Sequence, residues 1–318
     1  MRRGTRLNKD SPRRPPVSAI PGPAWPVGPG SPRRPDSLTV SSQPIPAEGG
    51  ARLRPVIGGV ARLATSQTAW VTASALLIAI CASTLSGQLG YITLYNDARS
   101  HLNIARHVTD SLTPGFAQLG SVWLPLPHLL MVPLTVNDFL WHTGIAGSAV
   151  GGLSFVFSAL RLYQLVDHWT ESRVAAWSAL VAFMFNVNLL YAQSTALTEP
   201  VLIVCLIGAS YHFADWLKFH RNVDLNLSAL FTLAGTLTRY DAWFYLLIAT
   251  LAVAAVSWVR SRRWSVGEAN GLIFAVLGGY GIALWLLYNA IIFGDPLYFM
   301  HSIYSAQAQQ TTIFAALT

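Results

Sequence analysis

Charge is scarce in this chain. Only 11% of its 318 residues are Asp, Glu, Lys or Arg, against about 25% in a soluble domain. That argues against a water-soluble globular fold. Cysteine is scarcer still. Cys81 and Cys205 both sit inside apolar runs, far from any CxxC pattern. They read as packing residues rather than as a disulfide or metal framework. Lysine is almost missing, two residues against nineteen arginines, a bias that suggests a high-GC genome. Walker A, GxGxxG and HExxH patterns are absent, so the soluble chemistries they mark have no support.

What is present is apolar: 53% of the residues are hydrophobic and the mean hydropathy is +0.43. The net charge of +7 is misleading as an average. Residues 1–66 hold ten arginines and one lysine against three acids, a net +8, which leaves −1 for the other 252 residues. The basic character therefore belongs to a tail, not to a folded nucleic-acid-binding surface, and no nucleic-acid partner is expected. The tail is rich in Pro, Gly, Ser and Arg, as in SPRRPP and SPRRPD. It lacks the apolar periodicity needed to bury a core, which predicts disorder over 1–66. Its charge places the N-terminus in the cytoplasm, against anionic lipid. The first apolar run begins too late for a cleavable signal.

From about residue 67 onward the chain reads as an all-α, polytopic transmembrane bundle. A crossing helix needs about 20 apolar residues. Clean spans cover 69–89, 144–166, 174–192, 198–217, 225–239, 241–259 and 269–292. The segment 122–141 is awkward, since it carries Pro125, Pro127, Pro133, His128, Asn137 and Asp138. Parity resolves it. If 122–141 crosses, the basic groups at Lys218/Arg221 and Arg260/Arg262/Arg263 fall outside, against the positive-inside rule. If it is a re-entrant or interfacial hairpin, both fall inside. The second assignment gives about seven crossings, with juxtamembrane helices in the first external loop. It also brings Asp97, Glu199, Arg239, Asp241 and Asp295 to the external face.

Three constellations on that face carry chemistry. Asp97 opens a stretch in which Ala98, Leu102, Ala105 and Val108 repeat at helical spacing. A carboxylate there suits the helix dipole, so it reads either as a capping residue or as a base. Arg99, His101, Arg106 and His107 add cationic or hydrogen-bonding groups at the lipid–water boundary, and Arg106 is expected to join a substrate site. In STALTEP, residues 194–200, Glu199-Pro200 stands where an external turn enters the next span. In LTRYDAW, residues 237–243, Arg239 and Asp241 either pair or mark a turn. The planar fork of an arginine also fits a phosphate. A fourth segment, FGDPLYFMHSIYSAQAQQ from Phe293, combines an Asp-Pro turn with Tyr298, Phe299 and Tyr304, and also fits an interfacial exit.

These segments, in this order, resemble the GT-C superfamily of polytopic glycosyltransferases, which includes the protein mannosyltransferases and aminoarabinose transferases of bacteria. The loop from Asp97 through GSVWLPLPHLL is similar to the first extracytoplasmic loop of those enzymes. STALTEP and TRYD resemble their acid-proline and arginine-acid signatures. The resemblance covers about residues 70–310. It implies transfer of a sugar from a polyprenyl-phosphate donor to an extracytoplasmic hydroxyl on a glycan, lipid or protein, with inversion. In that scheme Asp97 is the base, and Glu199, Arg239, Asp241 and Arg106 bind substrate. The implied location is the plasma membrane, in contact with its lipids. The family often carries a second acid after the aspartate, where this chain has Ala98. No cofactor is therefore assigned: carboxylates and phosphate suit a divalent cation, whereas the missing acid argues against one. Two other classes stay open. A transporter or flippase would need polar residues near mid-span and internal repeats. A truncated, non-catalytic membrane scaffold would account for a chain shorter than the related enzymes.

Overall fold

A computed structural model describes residues 54–303, 305, 308 and 310, with side chains from residue 67 onward. Every regular element among the described residues is helical. The long helices are α1 (Arg54–Gln88), α5 (Ile145–Thr170), α8 (Glu199–Phe219), α10 (Asp241–Ser261) and α11 (Trp264–Phe293). These five are long and apolar enough to cross a membrane. At about 1.5 Å per residue, the shortest of them covers the ~30 Å hydrocarbon thickness. Helices suit that setting because each backbone N–H and C=O finds its partner within the same segment.

The remaining apolar segments depart from simple spans, each for a visible reason. The run 174–192 is two helices, α6 (Arg173–Met184) and α7 (Val187–Gln193), bent by 62°. Asn186 causes the break: its side chain accepts a hydrogen bond from Leu189 N (3.2 Å) and so starts a new helix in mid-run. Counting the bent pair as one span gives six. The expected span 225–239 is α9 (Asn222–Thr236), only 15 residues long, or about 22 Å. The proline-rich segment 122–141 forms α3 (Leu126–Thr135) and α4 (Asp138–His142), both too short to cross. Asn137 separates them, accepting from Leu140 N. The segment between α1 and α5 also holds α2 (Asn96–His107) and a 3-10 turn at Phe116–Leu119, and α12 (Tyr298–His301) follows α11.

Helix α1 begins before the apolar run. Residues 54–66 of the expected disordered tail continue it backwards, and the rest of that tail lies outside the described residues.

Three apolar clusters hold the bundle. Val71, Ala75 and Ala79 of α1 pack with Phe155, Ala159 and Tyr163 of α5 and Leu180 of α6. Trp216 of α8, Ala229 of α9, Val253 of α10 and Phe274 of α11 form the second. The third joins Ala98, Leu102 and Ala105 of α2 to Met131 of α3, Ala146 of α5 and Ala196. Lipid is as apolar as leucine, so helices gain by close contact and small residues mark the interfaces. Gly147 and Gly151 of α5 show this: an added Cβ would collide with Ala196 and with the Gln193 backbone carbonyl. The α7–α8 break fits against α5 only because α5 is bare there.

Gly151→Ala is therefore expected to cost about 1–3 kcal/mol by overpacking. Gly279→Ala, whose Cβ meets nothing closer than 3.5 Å, should be neutral or stabilising. Thermal unfolding of the two variants in one detergent compares them directly.

Candidate functional site

The α1–α5 connection and two helix breaks converge at one end of the bundle. Helix α1 ends there, α5, α8 and α10 begin there, and α9 and α11 end there. A polar seam closes the α7–α8 break. Ser86 and Ser194 hydroxyls meet at 2.8 Å, Ser148 donates to the Ser194 carbonyl at 2.7 Å, and Gln193 Nε2 donates to the Ala79 carbonyl at 3.3 Å.

Glu199 is the first residue of α8, followed by Pro200 in the first turn. That geometry is the expected helix entry, and it leaves the carboxylate free to reach across. Arg239 lies in the α9–α10 corner. Its Nη1 donates to Glu199 Oε1 (2.9 Å) and Thr198 Oγ1 (3.1 Å), and its Nε donates to Asp241 Oδ2 (2.9 Å). Nη2 makes no hydrogen bond among the described residues. The three side chains are 36–62% exposed. Ion pairs this open contribute only about 0.2–1 kcal/mol each, so they orient the guanidinium more than they stabilise the fold. Glu199 Oε2 is buried without a partner.

The corner is itself braced. Leu126 N of α3 donates to the Leu237 carbonyl (3.0 Å) and Tyr240 Oη to the Val122 carbonyl (2.8 Å). Trp285 Nε1 donates to Tyr240 Oη (3.3 Å), and Phe299 stacks on the Tyr240 ring at 5.4 Å. The segment after α11 thus lies beside Arg239. Asp295 accepts from Leu297 N (2.9 Å) and faces His301 Nδ1 (3.3 Å). These contacts hold its carboxyl below the usual range, which is a turn role. Tyr304 lies outside the described residues.

Asp97 sits in the first turn of α2, partly exposed. It makes no hydrogen bond or ion pair with any described residue, and no side-chain hydrogen bond caps the helix. Four residues on, and so on the same face, His101 is buried. Its Nδ1 lies 2.8 Å from Nε2 of His128, which is fully buried, and Trp123 packs edge-on at 4.7 Å. Burial, and secondarily the charge of Arg239, lower the His101 pKa to about 4. Burial and then His101 lower His128 to about 3, with the Leu124 backbone acting the other way. Both rings are neutral at pH 7. His128 lies on α3, whose Leu126 N donates to the Leu237 carbonyl, so the α2 face carrying Asp97 connects to the α9–α10 corner through α3.

Arg106, expected in a substrate site, is engaged by neighbouring groups. Its Nε donates to Asp110 Oδ2 (2.9 Å), Nη1 to the Thr135 and Val136 carbonyls (2.8 Å each), and Nη2 pairs with Asp110 and Asp138 (2.6 Å). Its guanidinium also covers the Trp141 ring at 5.0 Å. Its donors tie α2 to the Asp110 turn, to the end of α3 and to the start of α4. The histidine pair and Thr198 are site residues that helical spacing did not pick out. The four-residue step from Asp97 to His101 was the available signal.

No three His, Cys, Asp or Glu side chains at this end come close enough together to hold a metal ion among the described residues. The chain matches no family model, no curated protein and no solved structure.

The neutral histidine pair makes stability acid-sensitive. Both folded pKa values lie below the unfolded value near 6.5, so the unfolded state binds more protons. Stability is full above about pH 6.5 and falls as the pH drops toward 4. A His101→Leu/His128→Leu double variant should show a flatter decline in melting temperature over that window.

Proposed function

We propose that the chain is a GT-C-type membrane glycosyltransferase that uses a polyprenyl-phosphate sugar. The observation that carries this reading is the Arg239 fork: one edge is fixed by Glu199 and Thr198, while the Nε/Nη2 edge is held only by the exposed Asp241. A phosphate takes two parallel hydrogen bonds from that edge of a guanidinium. Asp241 acts as the resident anion that the donor phosphate displaces, so the charge around Arg239 is conserved when the donor arrives. Glu199, on the other edge, stays and aims the fork.

The acceptor hydroxyl attacks the anomeric carbon as the bond from that carbon to the phosphate oxygen breaks. The leaving phosphate keeps the electron pair, and Arg239 stabilises its growing charge. The acceptor proton passes to Asp97, whose carboxylate has no competing partner among the described residues. Attack opposite the leaving group inverts the anomeric centre. Holding a membrane-bound donor beside the acceptor supplies much of the rate.

The positive-inside rule puts the end bearing Lys218, Arg221, Arg260, Arg262 and Arg263 in the cytoplasm and the Asp97 end outside the plasma membrane. Seven crossings follow when α6–α7 and α9 each count as one. No metal step is assigned. The sugar acceptor is a glycan, lipid or protein hydroxyl at that face.

With a polyprenyl-phosphate sugar in nanodiscs, Asp97→Asn should lower kcat by about 10²–10⁴-fold and Arg239→Lys by about 10²–10³-fold. Asp241→Asn should keep kcat within a few-fold and lower the donor KM. Full transfer by Asp97→Asn, at wild-type expression, would sink the assignment.

A further inference from the structure

A concentration of buried charge lies at the opposite end of the bundle. His212 and Asp215 stand three residues apart on α8 and share a face, and Asp224 opens α9 across from them. All three are buried, at 8%, 7% and 4% exposure. One potential ligand atom from each lies within 4.8 Å of the others. His212 Nδ1 is buried, makes no hydrogen bond, and points at Asp224 Oδ1 from 3.9 Å. This enclosed imidazole nitrogen faces a carboxylate at a distance too long for a hydrogen bond, so it is close enough to be drawn to a ligand placed between them.

The two carboxylates are met unequally. Arg221 Nε donates to Asp224 Oδ2 at 2.6 Å, but its Nη2 stays 3.8 Å from Asp215, and the Arg161 guanidinium of α5 lies over the ring of Tyr211, beside His212, at 4.9 Å. The Arg221 side chain is 55% exposed and can withdraw to water. Asp215 Oδ1 is 3.0 Å from His168 Nδ1 on α5. That is the kind of outer partner that orients a ligating carboxylate.

We propose that His212, Asp215 and Asp224 form a binding site for a divalent first-row transition ion, with Arg221 standing in for the cation in its absence. One imidazole nitrogen and two carboxylate oxygens suit Zn²⁺ or Mn²⁺. Bonds of ~2.0–2.2 Å place neighbouring ligands about 3–3.5 Å apart, so from a spread of 4.8 Å the three side chains need to close by roughly 1.3–1.8 Å. The ion neutralises both carboxylates, ties α8 to α9, and reaches α5 through His168. It leaves the Asp97 end untouched, so this site and the transferase reading stand or fall separately.

The test is metal content of the full chain, purified in detergent, equilibrated with Zn²⁺ or Mn²⁺ alone and desalted. One ion per chain is expected, with a raised melting temperature. Asp224→Asn and His212→Gln should each weaken binding at least tenfold, while Asp97→Asn should not. His212→Gln leaves both carboxylates and Arg221 in place, so it remains informative if Asp224→Asn fails to fold. Arg221→Gln separates the site from a simple ion-pair lock: removing the competing cation should leave metal affinity unchanged or tighter. No stoichiometric ion on the wild type, an undiminished affinity in His212→Gln, or loss of the ion in Arg221→Gln would each overturn the proposal.

Discussion

Arg239 has to be held where two chain breaks meet a membrane boundary, and the architecture of the Asp97 end follows from that. An unpartnered guanidinium is costly beside lipid, yet no single ion pair at this exposure is worth much. The solution is geometric. Pro200 and the start of α8 fix Glu199, and the docking of α3 on the Leu237 carbonyl fixes the corner that carries Arg239. The α7–α8 break can approach because α5 offers Gly147 and Gly151 where it passes. The fork is thus aimed by packing, with Glu199 and Thr198 completing the aim.

The two ends of the bundle handle charge differently. At the Lys218 end, cations sit at the last turns of helices and meet backbone carbonyls: Lys218 Nζ donates to His168 O (2.9 Å) and Arg260 Nη2 to Leu217 O (2.6 Å). This satisfies helix ends and complements their dipoles. At the Asp97 end, a carboxylate is left unmatched and a guanidinium keeps one nitrogen free among the described residues. The first pattern closes helices; the second leaves groups available for a ligand.

Much of this was legible in the sequence, because long apolar runs can only be long buried or lipid-facing helices. The prolines of 122–141 and the basic loops together marked that segment as non-crossing, and it folds as two short helices. The proximity of Glu199, Arg239 and Asp241 was readable as charges at matching span ends. The partners of Arg106, namely Asp110, Asp138 and the Thr135 and Val136 carbonyls, were not legible because they come together only when α2 folds onto α3. Asn186 hid a helix break inside a run whose average hydropathy looks continuous. The His101–His128 pair and the His212–Asp215–Asp224 group join residues from different helices, and one-dimensional spacing carries no record of such meetings.

The central claim is that the Nε/Nη2 edge of Arg239 receives the donor phosphate. A structure of the chain with a non-transferable polyprenyl-phosphate sugar analogue tests it most directly. The account predicts the phosphate on that edge, Asp241 turned away, Glu199 still on Nη1 and the sugar facing Asp97. A phosphate bound elsewhere, with Asp241 still on Nε, would contradict it.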